Sequence, residues 1–306
     1  MGERVRVCEV GPRDGLQMAK SIMPTAIKAK WIAAIAAAGV PEIEVGSFVS
    51  PKLIPQMADT DQIVRGALLI PGLTVMALVP NLKGAQRAYE AGAHGIGIPV
   101  SVSEGHSRAN TNKGTDDQVA EVRRIVEWVR AQERPMRIEP GCATAFGCSI
   151  DGRIPVARVV RVATQLAEAR ADAIALADTV GYGNPALVHE VVRAVRGSIG
   201  DKLTKLHLHD TCGLGLANAL AGLEEGIRSF DSALAGLGGC PFAPGASGNI
   251  VTEDLVFMLE SMGFETGIDL AKLLEARALL HEGVPTEALH GQVSLAGIPR
   301  TFRKVA

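Results

Sequence analysis

The chain has 306 residues, 47% of them hydrophobic and only 4% aromatic, which suits one large α/β domain with an aliphatic core. The formal charge of −2, from 31 basic and 33 acidic residues, provides no overall field that would attract nucleic acid, so we expect no nucleic-acid partner. No apolar run reaches the roughly 20 residues that span a bilayer, and we expect no membrane association.

Short apolar runs alternate with helical patterns along most of the chain, often with Gly or Pro between them. The candidate strands are 5–11, 42–48, 74–80, 95–102, 136–142, 173–181, 204–211 and 229–236. The candidate helices are 24–38, 82–91, 115–133, 155–169, 185–196, 214–225 and 249–262. This order predicts the α/β fold known as the TIM (β/α)8 barrel.

The barrel is predicted to occupy residues 1–265, followed by a C-terminal helical extension over 266–306. Within the extension, 269–282 has the pattern of a helix that packs on the barrel or on a second subunit. The five cysteines are odd in number and widely spaced, and no secretory segment is evident, so we expect a cytoplasmic protein. They are Cys8, Cys142, Cys148, Cys212 and Cys240.

Two histidines lie two residues apart on the seventh candidate strand, in the segment LHLHDT. Because side chains at i and i+2 of a strand point to the same side, His207 and His209 direct two imidazoles into one space. Imidazole pairs bind divalent metals well, which makes this a candidate metal site. The alternative is a pair of hydrogen-bonded core histidines.

Other polar residues fall where the strands of such a barrel end, which is where TIM-barrel enzymes place their chemistry. Arg13 and Asp14 follow strand one, Glu44 lies on strand two, and Asp178 ends strand six. A buried carboxylate costs several kcal/mol unless it is paired or bound to metal. The alternatives are an ion pair that closes the barrel, a structural partnership of Glu44 with Arg13, and an orienting role for Asp178.

The longest glycine-rich segment, 236–249, follows strand eight and ends at Asn249. Glycine-rich loops move easily and can approach a ligand closely, so this segment is a candidate lid. Asn249 by itself could be only the N-cap of the next helix, and Cys240 could be only a buried, inert thiol.

Taken together, these segments resemble the 3-hydroxy-3-methylglutaryl-CoA lyases of the metal-dependent lyase and synthase barrel superfamily. The matching segments are EVGPRDGLQ, SFVSPK, PNLKG, LHLHDT, GLGGCPFAPGASGN and TEDLVFMLE. The resemblance implies that Arg13 faces the thioester oxygen and that Cys240 takes part in proton transfer. It implies catalytic roles for Asp14 and Glu44 and a link of Lys20 to activity. The implied metal ligands are Asp14, His207, His209 and Asn249.

The activity implied by the resemblance is cleavage of a carbon–carbon bond beside a tertiary alcohol, which releases acetyl-CoA and a keto acid from an acyl-CoA substrate. The donor set suits Mg or Mn, and Asp14 or a water that it positions would remove the hydroxyl proton. Similarity also leads us to expect a homodimer. The candidate substrate-pocket residues are Gln17, Lys20, Arg137, Glu139 and Asp178.

The chain departs from the family pattern at strand five, where Glu139 stands in place of an aromatic residue that would face the substrate. A carboxylate there would repel an acyl chain with its own carboxylate unless Arg137 compensates. Ala175 replaces a frequent serine, and the loop 101–110 follows the family only loosely. The resemblance therefore predicts the reaction type more firmly than the substrate.

Three other functions remain open. A synthase that condenses acetyl-CoA with a 2-oxo acid shares the histidine pair but lacks the cysteine lid. A biotin-dependent carboxyltransferase uses a lysine inside the barrel, and the fourth strand, 95–102, has none. A non-catalytic barrel would not need all four prospective ligands. The candidate contacts to CoA phosphates are Lys20, Lys83, Arg108 and Lys113.

Overall fold

The computed structural model describes residues 2–238 and 248–302. Eight parallel strands pair in chain order, and β8 pairs with β1, so the sheet closes into a barrel. The strands are β1 (Arg6–Glu9), β2 (Glu42–Ser47), β3 (Thr74–Leu78), β4 (Gly95–Ser101), β5 (Arg137–Ala143), β6 (Ile174–Asp178), β7 (Leu203–Leu208) and β8 (Ser229–Ser232). The predicted TIM barrel is confirmed.

The helices surround this sheet, and between the two lies a core of Val, Ile, Leu and Ala side chains. They are α1 (Thr25–Ala37), α2 (Thr60–Ala67), α3 (Leu82–Ala91), α4 (Glu104–Thr111), α5 (Thr115–Arg130), α6 (Val156–Glu168), α7 (Pro185–Ile199), α8 (Gly215–Glu224), α9 (Thr252–Ser261), α10 (Leu270–Gly283) and α11 (Gln292–Ala296). Within the described ranges, no helix combines the length and the apolar character needed to cross a membrane.

Between the strands, two helices were not predicted from the sequence, α2 between β2 and β3 and α4 after β4. Each has only eight residues, about two turns, which is too short for an apolar period to stand out. Tertiary packing stabilises α2, because Ile63, Val64 and Ala67 are buried on its inner face.

Two strands end earlier than their apolar patterns suggest. β6 stops at Asp178, because Gly181 has a φ of +67° and the chain turns there. β8 stops at Ser232, and a single turn of helix follows in which Ala235 and Gly236 both have a φ of +61°. These left-handed residues end the extended backbone and direct the following segments over the barrel mouth.

The described part of the C-terminal segment packs on the barrel. α10 lies against α1, and a Cβ at Gly283 would come within 2.5 Å of Met23 Cε, so glycine is needed for this close approach. Arg277 of α10 forms an ion pair with the buried Glu253 of α9. The backbone N–H of His290 donates to the carbonyl of Ala235, 2.8 Å away, which ties the segment to the loop after β8.

Candidate active site

The loop after β1 is a π-helical turn, Gly11–Gly15, that holds Arg13 and Asp14 at the C-terminal mouth of the barrel. Pro12 starts the turn, and the backbone N–H of Asp14 donates to the carbonyl of Val10 across 2.7 Å. Because backbone contacts fix this turn, the guanidinium and the carboxylate have defined directions.

Three of the four predicted ligands, Asp14, His207 and His209, bring ligand atoms together in one cluster. The Nε2 atoms of the two histidines are 3.1 Å apart, and Asp14 Oδ2 is 3.8 Å from His207 Nε2 and 3.6 Å from His209 Nε2. A point equidistant from these atoms lies about 2 Å from each, which is the length of a bond between a divalent metal and nitrogen or oxygen. The residues therefore fit a metal ion.

Asn249 completes the cluster from the segment after β8, where its backbone forms a bridge with His209. Its side chain is buried, and Nδ2 donates to Asp14 Oδ2 at 2.8 Å and to the carbonyl of Leu237 at 3.2 Å. Its Oδ1 atom has no hydrogen-bond partner among the described residues, and a flip of the side-chain amide would turn this oxygen towards Asp14 in place of Nδ2. The N-cap alternative is wrong, because α9 begins only at Thr252.

The guanidinium of Arg13 contacts two carboxylates, with Nε on Glu44 and Nη1 on Asp14. Burial opposes ionisation of Asp14, but Arg13 and the two imidazoles outweigh it and hold the pKa of Asp14 well below its usual range. Asp14 is therefore an anion suited to metal binding.

The pKa of Glu44 is shifted in the opposite direction. Burial raises it, Asp231 and Asp14 add to the rise, and the contact with Arg13 opposes it. Glu44 contacts Nε of Arg13, in agreement with the structural partnership predicted from the sequence. A direct catalytic role of Glu44 stays a prediction.

The remaining predicted residues differ in their surroundings. Asp178 is fully buried and accepts hydrogen bonds from the backbone N–H groups of Tyr182 and Gly183, both at 3.0 Å, so it holds the turn after β6. Gln17 is half-buried and Lys20 is exposed on the segment that follows Asp14. Cys240 lies outside the described residues.

Arg137 and Glu139 lie inside the barrel on β5, in an ion-pair network that sequence reasoning missed. The ammonium of Lys205 lies 2.6 Å from Glu139 Oε1 and 2.9 Å from Glu42 Oε1, and Arg137 Nη2 lies 2.6 Å from Glu42 Oε2. Arg137 also lies 3.3 Å from Glu139, the compensation that the sequence suggested. A signal was available, because Lys205 stands two residues before His207 and so shares its strand face.

Asp231 of β8 is a second residue that sequence reasoning missed. Its Oδ2 lies 3.3 Å from His207 Nδ1, and its Oδ1 lies 3.3 Å from the Lys205 ammonium. Burial opposes ionisation of Asp231, but Lys205 and His207 outweigh it and lower the pKa of Asp231. Asp231 thus links the network to one of the predicted ligands.

The network predicts an acid-sensitive stability. Burial opposes ionisation of Glu42, but Lys205 and Arg137 outweigh it and lower its pKa from 4.5 to about 2. Because the folded state has the lower pKa, this stabilisation is complete above pH 4.5 and is lost as the pH falls towards 2. We expect the difference in free energy of unfolding between Glu42→Gln and the unmodified protein to shrink by about 2 kcal/mol from pH 7 to pH 3. Urea unfolding at both pH values measures it, and an unchanged difference would contradict the assignment.

Known proteins match the chain along most of its length. The HMGL-like family model matches residues 4–280. The mitochondrial hydroxymethylglutaryl-CoA lyase of Rattus norvegicus is 43% identical over 274 residues, which cover 90% of this chain and 84% of that protein. The cytoplasmic 3-hydroxy-3-methylglutaryl-CoA lyase of the same species is 42% identical over 274 residues, which cover 90% of this chain and 79% of that protein.

Solved structures give the same result. An HMG-CoA lyase from Acinetobacter baumannii in complex with coenzyme A and 3-methylmalate superposes with a TM-score of 0.91 at 39% identity, covering 99% of this chain and 98% of that one. The carboxyl transferase domain of Rhizobium etli pyruvate carboxylase superposes with a TM-score of 0.70 at 18% identity, covering 97% of this chain and 51% of that one. At this low identity the likeness shows the fold alone. With a barrel whose mouth brings together Asp14, His207, His209 and Asn249, the chain belongs to the HMGL-like family and is a carbon–carbon lyase.

Proposed function

We propose that the protein cleaves a 3-hydroxyacyl-CoA, as a hydroxymethylglutaryl-CoA lyase does, to acetyl-CoA and a keto acid. The observation that carries this proposal is the contact of Arg13 with Asp14, one of the three residues whose ligand atoms converge. A group that can stabilise an enolate oxygen thus stands beside a site that can bind a hydroxyl group.

The reaction requires loss of the substrate hydroxyl proton, breakage of the adjacent carbon–carbon bond to give the keto acid, and protonation of the acetyl-CoA enolate. A divalent cation in this site would lower the pKa of the substrate hydroxyl by several units. We assign removal of the hydroxyl proton to Asp14 or to a water that it positions, because Asp14 Oδ2 lies among the ligand atoms.

Arg13 is proposed to donate to the thioester oxygen, on which negative charge develops as the bond breaks. Glu44 and Asp14 contact Nε and Nη1, so they fix the plane of the guanidinium, and Nη2 is the proposed donor to the substrate. This preorientation saves the cost of moving the donor during the reaction.

The cation is proposed to be Mg or Mn. Two imidazole nitrogens, one carboxylate oxygen and the Asn249 amide oxygen would hold the ion, and substrate oxygens could bind to it beside them. Carboxylate and amide oxygens favour these hard ions, whereas softer transition metals bind more tightly to the imidazoles.

Cys240 is proposed to protonate the released enolate, because a thiol near pKa ~8.5 is an adequate donor at neutral pH. We expect Cys240→Ala to lower kcat by about 100-fold while metal binding stays unchanged. The matched control is Cys212→Ala, since Cys212 is an exposed free thiol. Steady-state kinetics of the two variants measure the effect, and a Cys240→Ala enzyme as fast as the control would exclude the thiol as donor.

The acyl group is proposed to be a 3-hydroxy acid that carries a second carboxylate, of which hydroxymethylglutarate is the first candidate. Supporting this, the charge of Glu139 is compensated by Lys205 and Arg137, so it is less able to repel such a chain. Gln17, Lys20 and Asp178 remain proposed pocket residues on the strength of the resemblance.

The test is an assay of the purified, metal-loaded protein against a panel of 3-hydroxyacyl-CoA esters, with acetyl-CoA release detected by mass spectrometry. Conversion of the methylglutaryl ester would support the first candidate, and selective use of another ester would implicate Glu139. Absence of cleavage, with product formed instead from acetyl-CoA and a 2-oxo acid, would make the protein a synthase. We further propose a homodimer in the cytoplasm, which analytical ultracentrifugation and cell fractionation would test.

A further inference from the structure

The interior of this barrel is charged on the side below the candidate metal site. A TIM barrel usually fills this space with branched aliphatic side chains. Here the buried side chains of Lys205, Glu42 and Glu139 occupy it, with Arg137 and Asp231 beside them. The ammonium of Lys205 lies within 3.3 Å of three carboxylates, those of Glu42, Glu139 and Asp231.

Burying such a network in a core costs free energy. Removing two charges from water costs several kcal/mol per ion, and apolar residues of similar volume are often as stable or more stable. Packing alone therefore gives no reason for this lysine. Lys205 lies on β7 two residues before His207, so the two side chains share one face of the strand.

Asp231 joins the lysine to the ligand, because one of its oxygens faces each of them. Oδ1 lies 3.3 Å from Lys205 Nζ, and Oδ2 lies 3.3 Å from His207 Nδ1. The carboxylate of Asp231 is a hydrogen-bond acceptor, so its contact with Nδ1 favours the tautomer of His207 in which Nδ1 carries the proton. In that tautomer the lone pair lies on Nε2, the atom nearest to His209 Nε2 and Asp14 Oδ2.

We infer that Lys205 is a positioning residue for metal binding, which acts through Asp231 to fix the tautomer and ring direction of His207. Carboxylates that accept from a ligating histidine typically contribute 10–100-fold to metal affinity. Lys205 holds this carboxylate in place, while Glu42 and Glu139 hold Lys205. The inference rests on the metal site of the proposed function.

The test variant removes the lysine without changing the net charge of the network. Lys205→Gln/Glu139→Gln deletes one cation and one anion, and Arg137 still neutralises Glu42. The matched control is Lys28→Gln/Asp59→Asn, which removes another buried ion pair. Lys28 Nζ on α1 lies 2.6 Å from Oδ1 of Asp59, the residue before α2, so this pair is outside the barrel interior. Titration calorimetry of the metal-free full chains with Mn²⁺ gives the affinity, and ¹⁵N-histidine NMR gives the tautomer.

We expect the double variant at Lys205 to bind Mn²⁺ about tenfold more weakly than the unmodified protein. In this variant His207 should be a mixture of two tautomers, one with the proton on Nδ1 and one with the proton on Nε2. The control should bind Mn²⁺ as the unmodified protein does. Loss of stability alone would not change the tautomer. Unchanged Mn²⁺ affinity in the Lys205 variant would overturn the inference and leave the proposed function standing. Failure of the unmodified protein to bind Mn²⁺ would overturn the metal site itself.

Should the double variant not fold, Asp231→Asn tests the same link with a side chain of the same size. Its neutral amide no longer forces the proton onto Nδ1, and we expect Mn²⁺ binding to weaken by 10–100-fold. An Asp231→Asn protein that binds Mn²⁺ as tightly as the unmodified protein would overturn the inference.

Discussion

Replacement of His207 by alanine is expected to abolish metal retention and turnover together. The imidazole supplies one of three ligand atoms that lie within 4.8 Å of one another, and the substitution leaves the cluster with two of them and a cavity. Removing a residue that only supports a ligand costs 10–100-fold in affinity, so loss of the ligand itself should cost more than about 100-fold. Because the metal would supply several kcal/mol of transition-state stabilisation, we expect turnover to fall about a thousandfold or more.

The measurement combines metal analysis of the dialysed protein with acetyl-CoA release from the ester that the panel identifies. His189→Ala is the matched control, since this histidine lies on α7 between Glu224 and Glu225, at 3.2 and 2.6 Å, away from the barrel mouth. The control should retain metal and activity. A metal-stripped His207→Ala protein with full activity would refute the mechanism.

Replacement of Arg13 by lysine is expected to lower kcat by about 100- to 1000-fold while metal binding is largely kept. Lysine preserves the charge beside Asp14 but loses the planar fork that contacts Glu44 and Asp14 at once. The loss of one donor to a developing oxyanion is typically worth this factor. The effect should fall on kcat more than on KM, because the charge that Arg13 stabilises develops in the transition state.

Steady-state kinetics and a Mn²⁺ titration of the same preparation separate the two effects. Arg130→Lys is the control, since Arg130 pairs with Asp172 at 2.5 Å on the outside of the barrel. A kcat for Arg13→Lys within a few fold of the control would show that this guanidinium does not stabilise the transition state. A parallel loss of metal would instead place Arg13 among the residues that build the metal site.

The variants at His207, Arg13 and Lys205 test three residues at increasing distance from the proposed metal ion. His207 is a proposed ligand of the metal, Arg13 contacts the proposed ligand Asp14, and Lys205 is proposed to act through Asp231. The expected losses of metal affinity decrease in the order His207, Lys205, Arg13, whereas the expected losses of kcat at saturating metal place Arg13 above Lys205. A different order would show which contact was assigned the wrong role.

Several features followed from local patterns. The alternation of apolar runs and helical periods predicts the barrel, because each βα unit has its own signal within about 30 residues. The spacing of His207 and His209 predicts two imidazoles on one side of β7, since that depends only on the geometry of an extended strand. Boundaries were less accurate, as at β8, where left-handed residues such as Ala235 end the strand within an apolar run.

Other features depend on contacts between residues far apart in the chain. The pairing of Asn249 with Asp14 spans 235 positions, and the pairing of Lys205 with Glu42 spans 163. The period of the strand places Lys205 on the same face as His207, but the burial of Lys205 depends on strands β2, β5 and β8 closing around β7. The short helix α2 was missed for the same reason, as packing rather than periodicity stabilises it.

The sequence by itself determined the class of fold, the histidine pair and, through its resemblance to a known family, the type of reaction. Those properties reside in short segments whose geometry is fixed by backbone period and residue chemistry. Only the tertiary structure decided that Asn249 contacts Asp14 rather than capping a helix, that Glu139 is paired inside the barrel, and that Asp231 connects Lys205 to His207. Closure of the sheet brings β1, β2, β5, β7 and β8 round a common axis, and the resulting distances between side chains are not encoded in any one segment.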